Sequence, residues 1–215
     1  MVLLHHVPLL NSKRLVLASA SPRRSELLRT LGLTTFQVKP STFDEKLDKA
    51  LFRHAADYAV QTALQKGLEV ASSELADLVI SADTVVDLHG LVLEKPADAA
   101  DAETMILKLS GSRHAVHTGV ALVFPRAVDP KTLKVPRVVT FSETTHVTFA
   151  GIPTAAVAAY VASGECYGKA GAYGIQGAAA SFVSGIEGCF HNVVGFPLHR
   201  FSTEMLELVE SGVFD

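Results

Sequence analysis

The chain has 215 residues, 48% of them hydrophobic and 19% charged, enough apolar material for a globular fold with one sizeable core or two small ones. A formal net charge of -3 offers no basic surface of the kind that tracks a nucleic-acid backbone, which argues against polymeric DNA or RNA as a partner. Two cysteines, Cys166 and Cys189, show no paired C-x-x-C spacing, and no secretory leader precedes them, so a reducing, cytoplasmic setting is expected rather than a disulfide framework.

The opening MVLLHHVPLL is apolar, too short to span a bilayer and interrupted by Pro8. No membrane partner follows from it; residues 1–12 are expected to be an extension, with a single domain over 13–215. A short strand is expected at residues 15–18, then a helix with Ser21 at its cap and Pro22 in its first turn. Arg24, Leu27, Leu28 and Leu31 share one face of that helix, and Gly32 ends it. A longer helix is expected at about residues 48–69, followed by the buried strand LVISADTVV, a short strand at 91–93 and the helix PADAADAETMILKLSG. HAVHTGVALVF and RVVTFSETTHVTFA read as two long strands, joined by a connection with three prolines and mixed charges. Helices at 153–163 and about 197–211 bracket a glycine-rich stretch. The expected class is α/β with a mixed sheet.

Three phrases carry candidate chemistry. In LASASPRRSELLRTLG, Arg23 and Arg24 stand in the first turn of a helix, where unpaired N–H groups and the helix dipole already supply positive charge. Either both are surface arginines lying over the sheet, or they fork an anion bound at that helix end. Arg24, on the leucine face, has the stronger claim to a packing role, and Arg23 to a substrate contact. In SADTVV, Asp83 follows a buried apolar run, so it is either a turn-capping carboxylate or a general base or metal ligand near a strand end. Glu45, Lys66 and Lys95 are solvated charges unless they converge on it. In SGECYGKAGAYGIQG, closely spaced glycines permit a backbone to approach a ligand, with Lys169 as a mobile cation, Tyr173 as a stacking face and Gln176 as a base-reading amide. A glycine-rich hairpin without ligand is the other reading. His114 and His117 sit on opposite faces of a strand and make a poor zinc pair, and no P-loop, dinucleotide fingerprint or nucleophile elbow is present.

Together LASASPRRSELL, SADTVV, EKPAD, SETTHVTF, YVASGECYGKAGAYGIQG and IEGCFHNVVGFPL, in that order, resemble the Maf family of nucleotide pyrophosphatases over residues 13 to about 210. The resemblance implies a Maf/ITPase-like α/β fold: an elongated mixed sheet flanked by helices, with an active cleft between two lobes. It implies a cytoplasmic enzyme that hydrolyses a nucleoside triphosphate to the monophosphate and pyrophosphate with a divalent cation, Mg²⁺ or Mn²⁺. SPRR, ADT and YGIQG are similar to the branch acting on dTTP, UTP and modified pyrimidine nucleotides. Carried over, Asp83 matches the proton acceptor, and Arg23, Thr84 and Gln176 the specificity positions. Ser19, Arg23, Arg24, Lys66, Lys95 and Lys169 match polar cleft positions suited to phosphate, and Glu45 and Asp83 are the expected metal carboxylates. An exposed sheet of this kind is compatible with a homodimer. The chain departs from the family's usual pattern at Glu94, where Gly is common, at Gly67, where Ala is usual, and in a longer connection around residues 125–137. Two competing readings are a non-catalytic nucleotide-binding regulator linked to cell division and a phosphohydrolase that releases the γ-phosphate.

Overall fold

In the computed structural model, which describes residues 3–214, the long β-branched runs become the centre of one mixed seven-stranded sheet. Strand β3 (Leu78–Leu88) pairs antiparallel with β5 (Arg113–Phe124), and β5 with β6 (Arg137–Phe149) from Arg113 opposite Thr148 to Phe124 opposite Arg137. Outside β6 lies β7 (Val183–Glu187). On the far side β1 (Leu15–Leu17) runs parallel to both β3 and the two-residue β2 (Gln37–Val38), giving the order β2-β1-β3-β5-β6-β7.

One strand edge is divided. β1 pairs with residues 78–80 of β3, while β4 (Leu91–Leu93) pairs antiparallel with residues 86–88. β5 occupies the opposite edge throughout, so among the described residues no strand lies beside residues 81–85 on the β1 side. Asp83 and Thr84 fall inside that gap.

Period-two alternation assigns the two faces of β3. Odd positions meet α3 (Ala55–Ser73): Val79 packs near Val70, the Ser81 hydroxyl donates to the Ala63 carbonyl at 2.6 Å, and Val85 joins Tyr58 and Ala59. Even positions Ile80, Ala82 and Val86 enter the main core. That core also takes the apolar faces of α2 (Pro22–Thr30), α4 (Ala99–Leu109), α5 (Thr154–Ala162), α6 (Phe190–Val194) and α7 (Leu198–Glu210). Full burial of a side chain such as Phe201 contributes about 1.5–3 kcal/mol. α3 can lie this close to the sheet because β5 has Gly119 beneath it, where a Cβ would stand 2.3 Å from the Val60 nitrogen.

The expected elements are present with shifted ends. The helix expected from about residue 48 starts at Ala55, because Asp48 caps a separate 3₁₀ turn, Lys49–Leu51, and extended Phe52 breaks the run. Within the stretch expected to be an extension, residues 3–11 form a 3₁₀ turn (Leu3–His6) and a short helix α1 (Val7–Asn11). Leu3 and Leu10 are fully buried in the main core, and Lys13 donates to the Phe214 carbonyl at 3.2 Å. Both cysteines are free thiols, and among the described residues no helix is long and apolar enough to cross a membrane.

Candidate active site

The gap in the β3 edge opens into a cavity of about 530 Å³. Ten of the residues singled out from the sequence line it, Ser19, Arg23, Arg24, Glu45, Lys66, Asp83, Thr84, Lys95, Lys169 and Gln176, and Tyr173 borders it too.

Asp83 projects from the α3 face of β3, and Lys66 reaches it from α3, donating to Asp83 Oδ1 at 2.7 Å. The same ammonium contacts Glu45 Oε1 at 2.8 Å, and Lys95 donates to Glu45 Oε2 at 3.0 Å. Asp83 and Lys66 are only 7% and 6% exposed, so neither charge would be tolerated there without the other. Burial opposes ionisation of Glu45, but Lys66 and Lys95 outweigh it and hold that carboxyl below its ordinary value. The backbone of Glu45 is held too: the Tyr58 hydroxyl lies 3.0 Å from its carbonyl and 2.7 Å from Glu94 Oε1. Burial first, and then Glu94, push the Tyr58 phenol well above its usual range, so it stays protonated and keeps a proton to donate. Tyr58 carries no sequence signal, since it reads as one more apolar position of a helix.

A second layer forms around Thr84, on the opposite face of the strand. Arg24 donates from Nη1 to Ser19 Oγ at 3.1 Å, from Nη2 to Thr84 Oγ1 at 3.1 Å and from Nε to the Gly195 carbonyl at 2.9 Å. Thr84 Oγ1 lies 2.9 Å from Thr118 Oγ1, and Thr118 donates to the Asn192 carbonyl at 3.1 Å. Fully buried Asn192 in turn donates to the Val116 carbonyl and Thr145, fixing the segment that ends in Gly195. Nothing in FHNVVGF marks that asparagine in advance. Arg23, one residue earlier, makes no hydrogen bond or ion pair among the described residues, and partial burial lowers its affinity for its proton. Ser21 occupies the cap position of α2, but its side chain makes no capping bond, which leaves the first-turn amides for a ligand.

The glycine-rich stretch closes the far wall. Lys169 bonds the Glu165 carbonyl, Glu165 Oε2 accepts from the Ala178 amide at 2.9 Å, and both side chains fill space that β-carbons at Gly174 and Gly177 would block. Burial, then neighbouring Arg23, lowers the Lys169 pKa, the mark of a cationic wall awaiting an anion. Gln176 is exposed in the cavity with its amide unpaired among the described residues. Tyr173 is not the stacking face expected from sequence: it is 5% exposed, packed edge-on against Phe149 and bonded to His114 Nε2 at 2.9 Å. His117 lies on the other face of β5, against Thr144 and Asp87.

Comparison with known proteins agrees with this geometry. The sequence profile described as Maf-like protein matches residues 14–208. The chain belongs to the Maf family. It is 44% identical, over 86% of its length and 90% of the relative's, to a dTTP/UTP pyrophosphatase of Gloeobacter violaceus, and 47% identical over the same shares to one of Moorella thermoacetica. It is also 47% identical, over 97% of its length, to a human protein described as a probable bifunctional dTTP/UTP pyrophosphatase/methyltransferase. The chain spans about a third (34%) of that human protein.

Two departures of this Maf chain have structural reasons. At Gly67 a Cβ would meet Ser81 Oγ at 2.7 Å, so glycine here accompanies the serine below it. Glu94 pairs with Lys49 and receives Tyr58, bracing the Glu45 loop from outside. The donor set of the cavity also suits a hard divalent cation: Glu45 and Asp83 converge on the single point now held by the Lys66 ammonium, and both are oxygen ligands.

Proposed function

We propose that this Maf chain hydrolyses dTTP and UTP, and modified pyrimidine triphosphates of the same shape, to the nucleoside monophosphate and pyrophosphate, clearing them from the nucleotide pool. The observation that carries this reading is the meeting, in one cavity, of buried Asp83 and half-exposed Glu45 with a wall of cations. Residues 13–215 act in it as one catalytic domain, in the cytoplasm.

Arg23, Lys95 and Lys169 take the triphosphate, with the free amides at the start of α2. They counter the charge that develops on the leaving pyrophosphate as the α,β-anhydride bond breaks. Asp83 accepts the proton of the water that attacks the α-phosphorus; Lys66, which donates to that carboxylate at 2.7 Å, turns to the triphosphate when it binds. Glu45 and Asp83 would hold Mg²⁺ or Mn²⁺, which supplies Lewis-acid polarisation of the phosphate oxygens when bound. Arg24 orients Ser19 and Thr84 from behind. Gln176 and Thr84 read the base side, the amide pairing with the adjacent acceptor and donor of a uracil or thymine ring.

The test is a panel of nucleoside triphosphates with Mg²⁺ and identification of both products. Multiple turnovers of UTP or dTTP yielding monophosphate and pyrophosphate are expected. Release of inorganic phosphate alone, or stoichiometric binding without turnover, would overturn the reading.

A further inference from the structure

The junction between the first turn and the last helix carries donors that the cavity does not use. His5 and His6 close the 3₁₀ turn, Glu210 is the last residue of α7, and one ligand atom from each lies within 4.8 Å of the other two. The imidazole rings stand side by side, with centroids 4.1 Å apart. None of the three lines the cavity. Their elements are held in register from beneath by Leu3 and Leu10, buried in one core with Leu206 and Val213, and by the bond from Lys13 to the Phe214 carbonyl.

Electrostatics at this end of α7 runs against the usual rule. A helix C-terminus favours positive charge, yet the last turn of α7 holds no basic residue and ends on a glutamate. A bound cation would reverse that deficit. Two imidazoles and one carboxylate select a borderline ion such as Zn²⁺, Ni²⁺ or Cu²⁺, whereas Mg²⁺ and Ca²⁺ demand oxygen ligands. Bonds of about 2.0–2.2 Å place tetrahedral donors roughly 3.4 Å apart, and small rotations of these accessible side chains close the remaining distance. Water would complete the coordination.

We propose that His5, His6 and Glu210 form a divalent transition-metal site that clasps the N-terminal turn to the last helix, separate from the all-oxygen site in the cavity. The full chain, with Mg²⁺ in excess to occupy the cavity carboxylates, is titrated with ZnCl₂ by calorimetry, and its thermal midpoint is followed. One zinc equivalent is expected, with a midpoint that rises with zinc concentration. Glu210→Gln and His5→Ala/His6→Ala should weaken binding at least about tenfold and abolish the zinc-dependent rise. Their Mg²⁺-supported turnover should match that of the unaltered chain. With CoCl₂, the visible bands of tetrahedral Co²⁺ should appear in the unaltered chain and be absent from Glu210→Gln. Zinc affinity unchanged by these substitutions, loss of the isotherm in Asp83→Asn instead, or no stoichiometric binding at all would each overturn the site.

Discussion

Arg24 donates to Ser19, Thr84 and Gly195, whereas the adjacent Arg23 donates to nothing among the described residues. Two neighbours of identical chemistry should therefore fail differently. Arg24→Ala removes charge-assisted bonds that join the start of α2, the centre of β3 and the segment before α7, and should cost about 1.5–3 kcal/mol in urea denaturation. Arg23→Ala should leave stability within about 0.5 kcal/mol and raise KM for the triphosphate about tenfold or more, because its free guanidinium is reserved for the ligand. Asp83→Asn keeps the shape of the site but removes the proton acceptor. Turnover should fall by roughly 10² to 10⁴ while nucleotide binding persists; a near-normal rate would take Asp83 out of the mechanism.

His114 joins β5 to the glycine-rich wall through Tyr173, and the environment of both elements sets its chemistry. Its ring is 2% exposed, Nδ1 has no hydrogen-bond partner among the described residues, and burial pulls its pKa down to about 4. The unfolded chain takes up this proton near pH 6.5 and the folded chain only near pH 4, so protonation favours unfolding. Stability should be lost as pH falls from about 6.5 to about 4, by about 2–3 kcal/mol. Urea titrations at several pH values check this, and His114→Gln should flatten the slope across that interval. Elements of this kind show what a sequence reveals. Long periodic stretches such as β5, β6, α5 and α7 were legible because their burial repeats along the chain. β2, β7, α6 and the 3₁₀ turns were not, since each is too short to show a period and exists only through its neighbours. Asp83 was legible, because a buried carboxylate beside a strand end demands a partner; Glu45, Lys66 and Lys95 each read alone as solvated charges, since their convergence on it is made by the fold. The leucine face pointed to a structural role for Arg24, but its bonding partners were hidden, as were Tyr58 behind Glu45 and Asn192 behind Thr118, because bonds between elements leave no mark on local spacing.

Across the molecule, the cavity is assembled from segments far apart in the chain, and its two central carboxylates are paired within it. Lys66 and Lys95 are bound to the carboxylates expected to hold the cation. A triphosphate draws those lysines towards its own oxygens, so metal and nucleotide should bind cooperatively. Mn²⁺ affinity measured by electron paramagnetic resonance should rise about 5–150-fold when a non-hydrolysable uridine triphosphate analogue is present, and the analogue's affinity by the same factor with Mn²⁺. Equal Mn²⁺ affinities with and without the analogue would exclude this coupling. The divided edge of β3 has a further consequence, in time rather than in space. β5 and β6 are consecutive in the chain, but Leu15 must find Leu78 before β1 can close one side of the gap. Contacts between distant segments form slowly, because loop entropy is lost before they reward it. On refolding, the hairpin should precede the docking of β1, and catalysis should return later than the strand signal in circular dichroism.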